Sequence, residues 1–372
     1  MNVALVHDWL TGMRGGERCL EVFCEIFPEA PVFTLLHTPG SVSPTIERRS
    51  VRTSFIQRLP DAARRYRHYL PLFPAAIRRF DLRGYDLILS SSHAVAKSVR
   101  VPAGAFHVCY CFTPMRYVWD LYDEYFGPRA GWPVRALMPP VAAALRRWDR
   151  QTAAGVHRFV AISRFIADRI RRAYDREADV IYPPVDVSRF RIEESAGVFY
   201  LLVSALTPYK RVDLAVEAAS RLGRRLLVVG TGPEERRLRA LAGPTVELLG
   251  WRADSEIAEL YARCRALIFP TLEDFGITPL EAMAAGRPVI AFGQGGALET
   301  VVPPGGAEPP TGLFFGRQTV DALVDAIRRF ESGHYRFEPK ALRRHAEAFD
   351  RPLFKERIHA FLTARMKEHG RC

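Results

Sequence analysis

The sequence predicts a two-domain α/β protein in which each domain is a mostly parallel sheet covered by helices on both faces. Three observations predict it. The 372 residues exceed what one ordinary hydrophobic core organises. Short apolar runs alternate with helical stretches along most of the chain, the pattern of a doubly wound sheet. That alternation stops at Pro183-Pro184-Val185-Asp186, where consecutive prolines end regular structure, and then restarts. The expected boundaries are 1–187 for the first domain, 188–350 for the second, and 351–372 for a terminal helical segment.

In the first domain Val3 to His7 reads as a buried strand, followed by a loop containing Gly15-Gly16 and a helix from about Glu17 that turns Leu20, Phe23 and Phe27 inward. Further strands are expected at Asp86 to Ser90, Phe106 to Cys109, Phe159 to Ile162 and Val180 to Tyr182, with helices near 136–154 and 164–174. The second domain is more legible. Strands are expected at 198–205, 225–229, 245–249, 265–269 and 288–292, and helices at 211–222, 233–241, 254–263 and 278–285. Right-handed crossovers bring all the loops at the strand C-termini to one edge, where ligands bind. Pro352 to Glu368 reads as an amphipathic helix carrying Phe354, Ile358, Phe361 and Leu362.

Composition narrows the function classes. The chain is 48% hydrophobic and 25% charged, the profile of a globular protein. The start lacks a basic leader with a long apolar run. The best apolar run, Val198 to Leu206, is far too short to span a bilayer. A cytoplasmic protein is therefore expected. Six scattered cysteines do not make a disulfide scaffold, and Cys109-x-Cys111 is a poor zinc spacing. The net charge of +12 is concentrated: 46–83 holds ten arginines against three acids, and 135–172 nine against two. Such stretches suit an anionic partner or a solvated face. They lack the aromatic-bearing strands or recognition helix of a nucleic-acid reader.

Four groups of residues carry possible chemistry. Gly15 and Gly16, between the first strand and helix, fit either a structural turn or close backbone approach to phosphate. Gly230-Thr231-Gly232-Pro233 is a similar turn, with Pro233 expected at a first helical position. Lys210 follows the strand at 198–205, where a cation near a helix N-terminus is disfavoured unless an anion lies between them. It is suited to a departing diphosphate. The fourth group, Phe269 to Gly286, delivers two acids and a glycine into a loop before a helix that Thr278 would cap and Pro279 start. Glu273 falls in that loop and Glu281 in the expected first helical turn. Carboxylates accept hydrogen bonds from hydroxyls and backbone N–H groups donate to phosphate. The pair suits a polyhydroxylated, phosphorylated ligand.

With these residues in view, the chain resembles the retaining glycosyltransferase family 4, whose fold is GT-B and whose Glu-x7-Glu signature matches Glu273 and Glu281. The likeness extends over nearly the whole chain. It includes His7-Asp8-Trp9-Leu10, Gly15-Gly16-Glu17, Thr113-Pro114-Met115-Arg116-Tyr117, Ile162-Ser163-Arg164-Phe165, Tyr182 to Asp186, Pro208-Tyr209-Lys210-Arg211, Gly230-x-Gly232-Pro233-Glu234 and Gly293 to Thr300. Together these resemble bacterial mannosyltransferases that use GDP-mannose in building cell-surface polysaccharide such as O-antigen.

The resemblance implies two Rossmann-like domains facing across a cleft, with the last helix crossing back to the first. It implies a nucleotide-sugar donor, no tightly bound cofactor and a glycan acceptor. Glu281 would hold the ribose; Glu273, with the backbone of Phe275, Gly276 and Ile277 beside Thr278, the donor sugar. Lys210 and Arg211 would meet the diphosphate, approached by Gly15 and Gly16, and Gly250 and Trp251 would touch the base. No Asp-x-Asp occurs, so no metal is expected.

Three positions depart from the pattern. Ala205 stands where relatives carry a diphosphate-binding arginine, Phe112 where a histidine is common, and Trp251 where an arginine is common. Without that histidine no catalytic base is evident, which is tolerable if the leaving phosphate takes the proton. A UDP- or ADP-sugar donor, a non-transferring sugar-nucleotide enzyme of the same fold, and a non-catalytic partner-binding member are the rival readings.

A lipid-linked acceptor at the inner face of the membrane, with the protein bound there peripherally, is the last expectation. It rests on the arginine-rich stretches. It rests also on 55–80, where Phe55, Ile56, Leu59, Tyr66, Tyr69, Leu70, Leu72, Phe73 and Ile77 interleave with arginines as in an interfacial helix.

Overall fold

The computed structural model describes residues 1–128, 131–195 and 197–370. They divide into two units: Met1–Pro184 together with Phe354–Cys372, and Val185–Leu353.

Seven strands form the sheet of the first unit: β1 (Val3–His7), β2 (Val32–Thr34), β3 (Val51–Thr53), β4 (Leu87–Ser92), β5 (Phe106–Cys111), β6 (Arg158–Ala161) and β7 (Ala178–Val180). Their order is β3-β2-β1-β4-β5-β6-β7, and every neighbouring pair is parallel. The central strands β1, β4 and β5 are buried along their whole length, as a parallel sheet covered on both faces requires. Polar residues inside them are paired across the sheet. His7 Nδ1 lies 2.7 Å from Ser91 Oγ and His107 Nε2 2.8 Å from Ser90 Oγ.

Strands β2 and β3 escaped the sequence reading, because three residues are too few to show a periodicity. Strand β7 lies two residues earlier than expected. The expected interfacial helix over 55–80 is corrected. This stretch is a chain of short helical turns, Phe55–Arg58, Ala62–Arg65, Tyr66–Leu72 and Phe73–Ile77. Pro60, Pro71 and Pro74 forbid a continuous helix. Ile56, Tyr66, Leu70, Phe73 and Ile77 belong to the core, with Phe55, Leu59 and Tyr69 packed against it. Trp9 lies 5.0 Å from the Tyr66 ring and 6.1 Å from that of Phe73. Of the nine apolar residues only Leu72 is exposed.

The helix Trp132–Ala153 starts earlier than expected and has two different halves. Its C-terminal half is locked by a buried ion pair, Lys97 Nζ to Asp149 Oδ1 at 2.8 Å. The other oxygen of Asp149 accepts from Trp119 Nε1 and from the Tyr174 hydroxyl, each at 2.8 Å. Its N-terminal half leaves Trp132 79% and Leu137 66% exposed. The terminal helix Arg351–Glu368 buries Phe354, Ile358, Leu362 and Met366, a single face at i, i+4 spacing. Phe354 packs against Phe23 and Tyr110 of the first unit, and Lys355 pairs with Glu25 at 3.1 Å.

The second unit has six strands: β8 (Tyr200–Val203), β9 (Leu226–Val229), β10 (Val246–Gly250), β11 (Ala266–Phe269), β12 (Val289–Phe292) and β13 (Gly312–Phe315). All neighbours are parallel, in the order β10-β9-β8-β11-β12-β13. Strand β8 is shorter than 198–205, since Val198 is exposed and the chain leaves the sheet after Val203. Both sheets therefore wind outward from a central pair, β1 and β4 in one and β8 and β11 in the other. The loops leaving the C-terminal ends of such a pair frame the binding crevice of a doubly wound sheet.

Candidate active site

In the second unit the crevice is built by the chain leaving β8 and the chain leaving β11. After β8, a 3-10 turn at Pro208–Lys210 precedes the helix Val212–Leu222. Arg211, at the corner, has φ +51° and ψ +38°, a left-handed conformation that costs a non-glycine residue about 1–3 kcal/mol. Its guanidinium is held by Asp213, Nε to Oδ1 at 3.2 Å. After β11, the loop carries Glu273, Asp274 and Phe275 to the helix Ile277–Ala284. The two loops meet through their side chains: Lys210 Nζ pairs with Glu273 Oε1, and the two are 15% and 16% exposed.

The start of the second helix corrects the expected cap. Gly276, not Thr278, is the N-cap, at φ +92°, a conformation glycine adopts without the Cβ penalty. An added Cβ there would also approach the Phe269 ring at 3.2 Å. Ile277 is the first helical residue, so Thr278 and Pro279 lie inside the first turn and Glu281 begins the second. Glu281 is therefore positioned by a side chain as well as by its turn. Its Oε2 accepts from the Tyr261 hydroxyl at 3.0 Å. Tyr261 is buried, and burial together with Glu281 pushes its hydroxyl pKa well up, so it remains a donor. The N–H groups of the first turn have no acceptors within the helix.

Several glycines serve the shape of this edge. A Cβ on Gly230 would come within 1.8 Å of the Ser204 carbonyl oxygen, and one on Gly232 within 2.3 Å of that of Leu206. These two glycines let the loop after β9 lie against the loop after β8. Pro233 falls in the turn, and the helix begins at Glu235, two residues later than expected. Gly250, at φ +73°, ends β10 and accepts at its carbonyl from Gly230 N–H at 2.8 Å. Trp251 next to it is 71% exposed. Gly295 and Gly296 back the Glu273 loop: added Cβ atoms would stand 2.5 Å from Glu273 O and 2.3 Å from Phe275 Cα. Gly296 N–H donates to Glu273 O at 2.8 Å. Sequence reasoning gave these two glycines and Tyr261 no role. The signal for the glycines was their place after β12, one strand beyond β11.

The corresponding edge of the first unit carries Gly15 and Gly16. Gly15 opens the helix Gly15–Ile26, and Glu17 caps it by accepting from Arg14 N–H at 3.0 Å. A Cβ on Gly16 would meet the Phe112 ring at 3.3 Å and His7 at 3.5 Å, so a larger residue there would need that ring to give by a few tenths of an ångström. Burial raises the Glu17 carboxyl, but His7 and the hydrogen bonds to it outweigh burial and hold it below its usual value. Asp8 and His93, to which no role was given, sit at the same edge.

Among the described residues no group of three or more His, Cys, Asp or Glu is arranged to hold a metal ion. No helix among them is long and apolar enough to cross a membrane. Some of the arginine surplus is internally engaged: Arg65 pairs with Asp61 and Arg169 with Asp120.

Two units, each a doubly wound parallel sheet, are the architecture of the GT-B fold. The family model described as "Glycosyl transferases group 1" matches residues 188–348, and that described as "Glycosyltransferase Family 4" matches 13–189. The chain belongs to the glycosyltransferases of this family.

Among curated relatives it is 30% identical over 233 residues to the GDP-mannose-dependent alpha-(1-6)-phosphatidylinositol monomannoside mannosyltransferase of Mycobacterium tuberculosis. That alignment covers 54% of this chain and 57% of the relative. The aligned region thus spans little more than half of that protein. It is also 29% identical over 193 residues to the 2-deoxystreptamine glucosyltransferase of Streptomyces kanamyceticus, covering 45% and 50% of the two chains. Among solved structures, sucrose-phosphate synthase from Thermosynechococcus elongatus superposes with a TM-score of 0.74 at 18% identity, covering 99% of this chain and 100% of the other. Anabaena Alr3699/HepE in complex with UDP does so with a TM-score of 0.71 at 17% identity, covering 98% and 100%. At such identities these likenesses establish the fold.

Proposed function

We propose that this chain transfers mannose from GDP-mannose, with retention of anomeric configuration, to a lipid-linked saccharide acceptor in cell-surface polysaccharide synthesis. The observation that carries the transferase reading is the Lys210–Glu273 pair, built by the two loops that leave the central strands of the second sheet. A cation and a carboxylate side by side suit a ligand that presents a diphosphate next to a polyol.

In this reading Lys210 meets the diphosphate, assisted by Arg211 and by the backbone N–H groups of Ile277 and Thr278. Charge grows on the diphosphate oxygen as its bond to the sugar breaks, so a fixed ammonium there stabilises the transition state more than the ground state. Glu273 accepts from hydroxyls of the sugar, with the backbone of Phe275 and Gly276 alongside. Glu281, steadied by Tyr261, accepts from the ribose hydroxyls. Gly250 and Trp251 lie toward the base, and Gly15 and Gly16, at the start of a helix in the first unit, are themselves suited to phosphate. The reaction as drawn uses no metal.

The mannose and guanine parts rest on the mycobacterial relatives, which are named for GDP-mannose. The membrane part is supported by the two arginine-rich stretches and by Trp132 and Leu137, exposed on a helix that also carries Arg135. A thermal-shift panel over GDP-, UDP- and ADP-sugars tests the donor, since a ligand that binds only the folded chain raises Tm. GDP-mannose is expected to give the largest shift and the only fast turnover. Equal stabilisation and turnover with a UDP-sugar refutes the assignment.

A further inference from the structure

We propose that His345 is a positioning residue for the loop that carries Glu273; this rests on the transferase reading above. His345 lies in the last turn of the helix Pro339–Glu347, within the second unit. Its Nε2 lies 2.9 Å from the carbonyl oxygen of Thr300. A carbonyl oxygen can only accept, so Nε2 carries the proton and donates it. The imidazole also meets the Phe349 ring, centre to centre at 5.7 Å. These two partners lead back to the Glu273 loop by different routes.

Through Thr300 the route is one of hydrogen bonds. Thr300 closes the short helix Ala297–Thr300, and its hydroxyl donates to Gly296 O at 3.3 Å. Gly296 in turn donates its N–H to Glu273 O and lies too close to Phe275 for a Cβ. Through Phe349 the route is one of packing. Its ring lies 5.9 Å from that of Phe275, two residues after Glu273, and both side chains are buried. Phe349 is itself fixed: its N–H donates to Ala346 O, and its carbonyl accepts from Val185 N–H, each at 3.0 Å. The helix that carries His345 also holds the far end of the helix that Gly276 opens, since Arg343 Nη1 donates to Ala284 O at 3.0 Å.

The Glu273 loop needs support from behind. It ends at Gly276, at φ +92°, and glycine restrains its own backbone least of all residues. The pair with Lys210 is no substitute, because a donor diphosphate competes for that ammonium. A binding side chain works only when held within about 0.5 Å of its productive place, a task that falls to the groups packed around it. Removing the imidazole takes a hydrogen-bond donor from the carbonyl of Thr300, a fully buried residue, and opens space beside Phe349. The helix Ala297–Thr300 and the Phe349 ring can then relax, and with them the loop they back.

The test is His345→Ala in the full chain, alone and combined with Glu273→Ala. The readouts are affinity for free GDP by calorimetry, melting temperature, and turnover of saturating GDP-mannose followed as GDP released. His345→Ala should bind GDP as wild type does and turn over roughly 10- to 10²-fold more slowly, the loss that a misplacement of about 1 Å brings. Added to Glu273→Ala it should cost less than about threefold more, because residues that act through one another are not additive. His345→Gln, whose amide N–H can still reach Thr300 O, should recover most of the loss. Should His345→Ala also melt early, Phe349→Leu carries the same comparison, since it keeps apolar bulk and removes the ring contact. Turnover of His345→Ala within about threefold of wild type, or a loss that multiplies with that of Glu273→Ala, overturns the proposal. A wild-type chain that binds no sugar nucleotide overturns the transferase reading, and this inference with it.

Discussion

Lys210 Nζ and Glu273 Oε1 form an ion pair across the two loops that leave the central strands of the second sheet. A residue 63 positions away in sequence thus holds the ammonium at the carboxyl edge of the sheet, where the donor's diphosphate would compete with Glu273 for it.

Lys210→Ala should therefore lower turnover more than donor affinity. The loss expected on removing one preorganised charge partner is ~10²–10³-fold in kcat, or about 2.7–4 kcal/mol. Ala205 contributes no cation there, and Arg211 is engaged with Asp213. Steady-state kinetics with saturating donor checks this, and retention of more than about a tenth of wild-type turnover counts against it.

Glu281→Ala should weaken binding of free GDP, because its assigned partners are ribose hydroxyls. Tyr261→Phe, which removes the 3.0 Å hydrogen bond that orients Glu281, should weaken it in the same direction by a smaller factor. A neutral hydrogen bond is worth ~0.5–1.5 kcal/mol and one to a charged group ~1.5–3 kcal/mol. Calorimetry with GDP separates the two variants from wild type. Unchanged affinity in Glu281→Ala refutes the role.

Much of this edge was legible in the sequence, and the reason lies in local chemistry. Strands β8 to β12 show as apolar runs between helices, and Glu273 announced itself as an acid in a loop after a buried strand. The parts that were hidden depend on contacts distant in sequence. Gly296 looks like a loop residue until β12 is placed beside β11, where it touches Phe275. The apolar residues of 55–80 read as a membrane-facing stripe because sequence does not show that Trp9 lies over Tyr66 and Phe73. Asp8 passes for a solvated acid unless the loop after β4 is brought to it. The cap at Gly276 was missed for a local reason: Thr278-Pro279 is a stronger compositional signal than one glycine in a left-handed conformation.

Acid should destabilise the first unit through His107. Burial lowers its pKa to about 3, against 6.5 for the free side chain. Between these values the unfolded chain holds a proton that the folded chain does not. Stability should then fall as pH drops below 6.5, by about 1 kcal/mol per pH unit from this group. Urea midpoints from pH 7 down to about 4.5, within that window, should follow this slope, and His107→Asn should flatten it. A slope unaffected by the substitution would contradict the assignment.

Association with anionic vesicles should appear at low salt, fade as salt is added, and be absent with neutral lipid. Since the apolar residues of 55–80 are core, the contact is expected through Trp132 and Leu137 with the surrounding arginines. Each basic residue at the surface contributes roughly 1 kcal/mol. Sedimentation should show binding reduced in Trp132→Ser/Leu137→Ser and in Arg64→Glu/Arg65→Glu/Arg67→Glu. Indifference of the wild-type chain to anionic vesicles at low salt refutes the membrane part and leaves the transfer reaction in place.

The central claim is that Glu273 and Lys210 hold a sugar nucleotide for transfer, and the most direct measurement is mannose transfer from GDP-mannose by Glu273→Ala beside the wild type. Wild type should transfer. The variant should keep its melting temperature and its affinity for free GDP, and its turnover should fall by at least ~10²-fold, since its partners are on the sugar and not on the nucleotide. A folded Glu273→Ala chain that transfers at close to the wild-type rate would contradict the account.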